Sequence, residues 1–376
     1  MRLFACDRCH QLVFFENVAC TRCGQALAYL PDRERIGGIA PADGAPEAAP
    51  GAPPAERRWR SMGEGGDGRV YRRCRNWTEH AVCNWVVPAE DPNPLCQACR
   101  LNLVIPPLSE PAARSAWGRL EAAKRRLVYS LLQLGLPLEP FAPPSSDGGR
   151  PPGRPGLGFK FLQAWEGAPV STGHRDGIIT IDVAEADDPT REKVRVSLGE
   201  PYRTLLGHFR HEIGHYYWAR LVEGSRWLEA CRRLFGDDRE DYATAVERHY
   251  GAGAPPDWSA RFVSAYASAH PWEDWAETFA HYLHMVDTLE TARAHGLSVR
   301  PTPPEGAAPT AGVSARRLDH RRFEDLLAGF APLTLALNDL NRSMGLADPY
   351  PFVLCPAAIE KLRFVHDVVE AASAEA

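Results

Sequence analysis

His211-Glu212-Ile213-Gly214-His215 sits inside HFRHEIGHYYW, residues 208–218, and its reading decides the fold. Leu205, Leu206, Phe209, Ile213 and Tyr217 recur at helical spacing around it, which predicts a helix from about Pro201 to Val222. On a helix, positions i and i+4 lie one turn apart on the same face. His211 and His215 can therefore reach one metal ion. Glu212 projects beside that ion, where it can take a proton from bound water.

A catalytic zinc needs three protein ligands and one open position. The best source of the third is PWEDWAETFA, Pro271 to Ala280. Pro271 opens a predicted helix to about His295, with Gly296 as its stop. Glu273 and Glu277 share a face of it. One can ligate the metal while the other accepts the second N–H of a ligand histidine.

The chain has ten cysteines, eight of them in the first hundred residues. Cys6-x2-Cys9 and Cys20-x2-Cys23 are two knuckles that together close a tetrahedral four-thiolate zinc site. A segment this short buries too little apolar surface to fold alone, so the metal supplies folding energy. Cys74, Cys83, Cys96 and Cys99 form a second quartet, with His80 as a possible substitute ligand. Both sites are closed and read as structural. Cys231 and Cys355 read as buried, inert thiols.

These patterns divide the chain into a zinc ribbon (1–36), a flexible Ala/Pro/Gly-rich linker (37–62) and a second, four-cysteine zinc module (63–106). A helix from Pro111 to Leu134, stopped by Gly135, and a Pro/Gly-rich connector occupy 107–157. The catalytic domain spans 158–376. It opens with strand patterns at Phe159–Phe161 and GIITIDV, Gly177 to Val183. The acidic turn Glu185, Asp187, Asp188 reads as solvated or helix-capping rather than cation-binding. Further helices are expected at 225–250, 323–344 and 356–371. The fold class is α+β and mostly helical.

The net charge of −5 gives no general drive toward nucleic acid or anionic membrane. No apolar run is long enough to span a bilayer, and the N-terminus lacks the apolar core of a signal peptide. Cytoplasmic location is the expectation, since the cysteines are spaced for metal. Arg57, Arg58, Arg60, Arg69, Arg72, Arg73 and Arg75, with Trp59 and Tyr71 interleaved, offer a nucleic-acid contact. Residues 1–100 as a whole, however, hold 13 Arg against 12 acids.

HEIGHYYW followed by EDWAETFAHYLH resembles the gluzincin metallopeptidases, whose third ligand is a downstream glutamate. The resemblance implies Glu273 as ligand and Glu277 as the acid supporting a ligand histidine. The site is also similar to the anthrax lethal-factor-like branch, which implies Tyr266 as donor to the oxyanion. Overall the chain resembles bacterial zinc-binding metallopeptidases with an N-terminal zinc ribbon. The leading knuckles, Glu200 to Trp218, Ser264 to His284 and NRSMGLADPYPF (Asn341 to Phe352) carry that likeness.

A zincin-like domain hydrolysing peptides, with Glu212 as general base, is the implied function. One alternative is a non-catalytic regulatory protein whose ribbons hold a partner. Another is a SprT-like DNA-associated protease, where the ribbon typically follows the protease rather than preceding it. His208, His281 and His284 read as packing or supporting histidines, and His270 as the one best placed for substrate. Trp218, Trp272 and Trp275 read as core. Metal analysis is expected to find about three zinc ions per chain, falling by about one in His211→Ala. Unchanged metal content in that variant removes the catalytic site from the reading.

Overall fold

Gly37 and Gly38 show how the N-terminal third is built. Their composition suggested a linker, yet they lie in a strand. A Cβ on Gly37 would come within 2.8 Å of Leu30 Cδ1, and Gly38 N–H donates to Asp7 Oδ2 at 2.5 Å. A side chain at Gly37 would require Leu30 to shift. The computed structural model describes residues 1–42, 57–63, 68–142, 155–164, 168, 170–197, 204–302, 312–315, 319 and 321–375.

The first knuckle is flanked by the paired strands β1 (Phe4–Ala5) and β2 (Leu12–Val13). Then β3 (Leu27–Leu30), β4 (Arg35–Pro41), β5 (Arg58–Ser61), β6 (Val70–Arg73) and β7 (Val86–Pro88) form an antiparallel meander in that order. The expected linker 37–62 is thereby corrected. Its two ends pair with each other, Ile39 opposite Ser61 and Pro41 opposite Trp59. The Ala/Pro-rich residues 43–56 lie outside the described residues. Both cysteine quartets thus hang on one sheet. The short helix α1 (Arg75–Thr78) follows β6.

Three arginines of the 57–75 stretch have partners within this domain. Arg69 pairs with Asp32 and Glu90, Arg72 donates to the carbonyls of Asp91 and Asn93, and Arg73 stacks on Trp59 and Trp77.

Strand β8 (Asn102–Val104) leaves this domain and enters the next sheet, which also holds β9 (Gly158–Leu162), β10 (Gly173–Arg175) and β11 (Ile178–Asp182). The order is β10-β11-β9-β8. β9 runs parallel to both β8 and β11, and β10 is the antiparallel edge. Between them in sequence comes α2 (Pro111–Gln133), with proline in its first turn and Gly135 at φ +64° just beyond its end.

The helices α3 (Asp188–Ser197), α4 (Leu205–Tyr217), α5 (Leu228–Phe235), α6 (Tyr242–Ala252) and α7 (Pro271–Ala294) follow. The hairpin β12 (Ser298–Val299) and β13 (Val313–Ser314) precedes α8 (Phe323–Ser343) and α9 (Pro356–Glu375). Thr204 caps α4, accepting from Gly207 N–H at 3.0 Å. The helix continues as a wide π-type turn, Trp218–Val222. The region expected to be helical at 225–250 is split between α5 and α6 at Gly236, where φ is +110°. Among the described residues no helix is long and apolar enough to cross a membrane.

One continuous core runs from Cys6 and Phe15 through Trp117, Phe159 and Phe209 to Trp275 and Val369. Helix α2 was expected in a connector, but it lies against α4 in the middle of this core. It also carries a buried ionic cluster. Lys124 Nζ meets Glu121 Oε1 at 2.8 Å and donates to Asn102 Oδ1, while Glu121 Oε2 lies 3.8 Å from Cys99 Sγ. The second cysteine quartet, α2 and the parallel sheet meet in this cluster.

Lys124→Met leaves the fully buried Glu121 carboxylate without its ion-pair partner. It should cost about 3–5 kcal/mol in denaturant unfolding, and adding Glu121→Leu should recover most of it. Equal losses in the single and double variants contradict the pairing.

Candidate metal centre

Helix α4 presents His211 and His215, and α7 presents Glu273. Their ligating atoms converge. Nε2 of the two histidines are 3.2 Å apart, and Glu273 Oε2 stands 3.1 Å from His211 Nε2 and 3.4 Å from His215 Nε2. A tetrahedral zinc with ligands at about 2.0–2.1 Å separates them by roughly 3.3 Å. Glu273 is 1% exposed, and its Oε2 has no hydrogen-bond partner among the described residues. Three converging lone-pair atoms repel unless a cation lies among them. These residues therefore fit zinc.

The tautomer of His211 follows from its neighbour. Glu277 Oε1 sits 2.7 Å from His211 Nδ1. A carboxylate only accepts, so Nδ1 carries the proton and Nε2 keeps its lone pair for the metal. Ser264 Oγ donates to Glu277 Oε2 at 2.6 Å and fixes the carboxylate from the other side. The other candidate ligand has no such support among the described residues. There His215 Nδ1 is buried without a hydrogen-bond partner, and the Trp272 ring lies 3.9 Å from the His215 ring. Trp272 is thus a wall of the site rather than core, unlike Trp275, which is fully buried.

Glu212 is 4% exposed. Its Oε1 is 3.2 Å from His208 Nε2, and its Oε2 is buried with no hydrogen-bond partner among the described residues. The Tyr266 ring stands 5.8 Å from the His211 ring.

Several neighbours were not legible in the sequence. Tyr242, at the start of α6, donates its hydroxyl to Glu273 Oε1 at 2.7 Å. His174 on the edge strand β10 stacks at 6.3 Å from His215. Its Nε2 accepts from Gly177 N–H, and burial, with His215 alongside, lowers it to about 4, so it is neutral. Glu185, expected in a solvated turn, faces inward and meets His208 Nδ1 at 2.6 Å. Asp187 does cap a helix, accepting from Thr190 N–H. The i, i+4 spacing of His208 and Glu212 was a usable signal. Tyr242, His174 and Glu185 come from separate segments with no motif to mark them.

His270 has a different place from the one expected. Its Nδ1 accepts from Trp272 N–H at 3.0 Å as the cap of α7, and its Nε2 faces the Glu240 carbonyl at 3.2 Å. Both ring nitrogens are engaged by backbone, so His270 is not offered to a substrate. His281 pairs with the Tyr350 hydroxyl and His284 with Arg210, both at 2.7 Å.

The two cysteine quartets also converge. Within each of them the four sulfurs lie within 4.8 Å of one another. Cys6–Cys23 and Cys9–Cys20 are 3.6 Å apart and Cys83–Cys96 3.8 Å. A tetrahedral zinc with Zn–S of about 2.3 Å requires roughly 3.8 Å, and a disulfide requires about 2.05 Å. His80 stands outside the second quartet, its ring against Trp117.

The fold and site define a protein with zinc-ribbon cysteine clusters joined to a helical His/His/Glu centre. A family model described as "Putative zinc-binding metallo-peptidase" matches residues 113–368, and a zinc-ribbon domain model matches residues 3–110. The chain belongs to that zinc-binding metallo-peptidase family. The match starting at residue 113 also groups α2 with the peptidase part. The chain is 41% identical, over 98% of its length and 96% of theirs, to uncharacterized proteins of Mycobacterium bovis and Mycobacterium tuberculosis. No solved structure matches.

Gly214 controls how closely the two ligand-bearing helices approach. A Cβ there would meet Ala276 Cα at 2.9 Å and the Ala276 carbonyl at 3.0 Å. Gly214→Ala should force α4 and α7 apart, cost about 1–3 kcal/mol and lower the measured zinc content by about one ion per chain. Full zinc content measured on the folded variant contradicts this.

Proposed function

We propose that the protein is a zinc-dependent peptidase with a gluzincin-like ligand set in a zincin-like fold. His211, His215 and Glu273 hold one zinc, and the two cysteine quartets hold one structural zinc each. The observation that carries this reading is the triangle of converging ligand atoms, with the unpartnered Glu212 Oε2 beside it. Zinc, when bound, acidifies a water and polarises a carbonyl oxygen.

The chain's own residues do the rest. Glu212 Oε2 takes a proton from the attacking water and delivers it to the leaving amine. His208 at Oε1 leaves that second oxygen for the work. Tyr266 donates its hydroxyl to the carbonyl oxygen as negative charge grows there. Burial, reinforced by the nearby Glu273 carboxylate, raises its phenol, so it remains a donor. Glu277, held by Ser264, keeps His211 in the ligating tautomer. A pure binding protein needs a metal triangle but no placed base. The buried, unpaired Glu212 Oε2 therefore favours catalysis over the regulatory alternative.

Glu212→Gln should retain about three zinc ions and lose peptide-library hydrolysis by on the order of 10²- to 10⁴-fold. Undiminished hydrolysis in that variant overturns the mechanism. Tyr266→Phe should lower kcat with KM nearly unchanged, since its hydroxyl acts as charge develops.

A further inference from the structure

A partly buried chain of polar groups reaches Glu212 from outside the metal triangle. His208 lies four residues before Glu212 on α4, hence on the same helix face. Its two ring nitrogens each face a carboxylate: Nε2 is 3.2 Å from Glu212 Oε1, and Nδ1 is 2.6 Å from Glu185 Oε2. Glu185 is 7% exposed. Its other oxygen accepts from Thr172 Oγ1 at 2.7 Å, and Thr172 Oγ1 accepts from Asp182 N–H at the end of β11. The chain thus starts on the sheet and ends on the candidate base.

Carboxylates only accept hydrogen bonds, so serving both requires a proton on each ring nitrogen. Burial alone would lower the imidazole. The charge and hydrogen bond of Glu185, joined by Glu212, overcome it and raise His208 to about 9. An imidazolium between two buried carboxylates also repays the desolvation that either would suffer alone.

We infer that His208, oriented by Glu185, is a positioning residue that anchors Glu212 Oε1 and so leaves Oε2 as the oxygen that exchanges protons. This rests on the peptidase reading for its consequence, though not for its geometry. Without His208 the Glu212 carboxylate is free to turn about its side-chain bonds, and both oxygens become equivalent. Zinc binding does not involve His208 and is unchanged. Glu185 is two links from Glu212 and acts only by holding the ring.

The test uses the full zinc-loaded chain and two readouts, peptide hydrolysis and the affinity of acetohydroxamic acid. This probe chelates zinc and places its acidic proton beside the base. In His208→Ala, kcat and acetohydroxamic acid affinity should both fall about 10- to 100-fold, with KM and zinc content unchanged. His208→Gln places an amide N–H near the former Nε2 and should recover most of the loss. Glu185→Gln should give a smaller loss in the same direction, and it serves if His208→Ala fails to fold.

Values for His208→Ala within about twofold of wild type overturn the inference. Equal losses in the Ala and Gln variants also overturn it, because they show that only the packing of the ring matters. A wild-type protein that binds the probe but cleaves no peptide overturns the peptidase reading instead. The acetohydroxamic acid series then still decides the inference.

Discussion

The structure depends on one close approach, that of α4 to α7 at Gly214. Two of the candidate ligands, His211 and His215, are on one helix and the third, Glu273, is on the other, so the distance between the helices sets whether the three atoms could share an ion. Packed helices usually lie 8–10 Å apart, set by the side chains between them. Here the side chain is missing on one side and is Ala276 on the other. Trp275 Nε1 donates to the Gly214 carbonyl at 2.9 Å and holds the contact in register. One turn earlier on α4, Arg210 pairs with Asp287 and His284, pinning the same two helices farther along α7. Beside Glu273, the buried Asp274 meets Lys361 of α9, which fixes the rotation of α7 from its far side.

The N-terminal domain is built into this arrangement rather than tethered to it. It supplies β8 to the sheet beneath α4, and the Glu121–Lys124 cluster joins the second cysteine quartet to α2. Phe15 packs edge-on against Tyr29, Trp85 and Tyr129, so rings from the first ribbon, the meander and α2 share one cluster. The C-terminal DPYPF stretch acts from the opposite end, where Tyr350 and Phe352 enclose His281 on α7.

Much of the site was readable because it follows helical periodicity. His211, Glu212 and His215 are related by one helix, and Glu273 and Glu277 by another, so spacing alone puts each set on one face. The cysteine knuckles were readable for a similar local reason. The linker was misread because glycine and alanine serve both flexible chain and tight packing. Only the Leu30 and Asp7 side chains against Gly37 and Gly38 tell the two apart. His270 was misread because a histidine before Pro271 can cap a helix or face a substrate, and backbone geometry chose the cap.

The sequence by itself determined where the candidate metal-binding side chains gather: eight N-terminal cysteines in two quartets, an HExxH helix and a second helix carrying two acids. Those are local facts, settled by spacing along a chain of known pitch. Only the tertiary structure decided which atoms meet. It set Glu273 against the histidine pair and Glu277 behind His211. It also brought Glu185, Tyr242, His174 and Trp272 from four separate segments to the same place. No periodicity relates those segments, because their meeting depends on long-range packing, and packing is decided by the whole core at once.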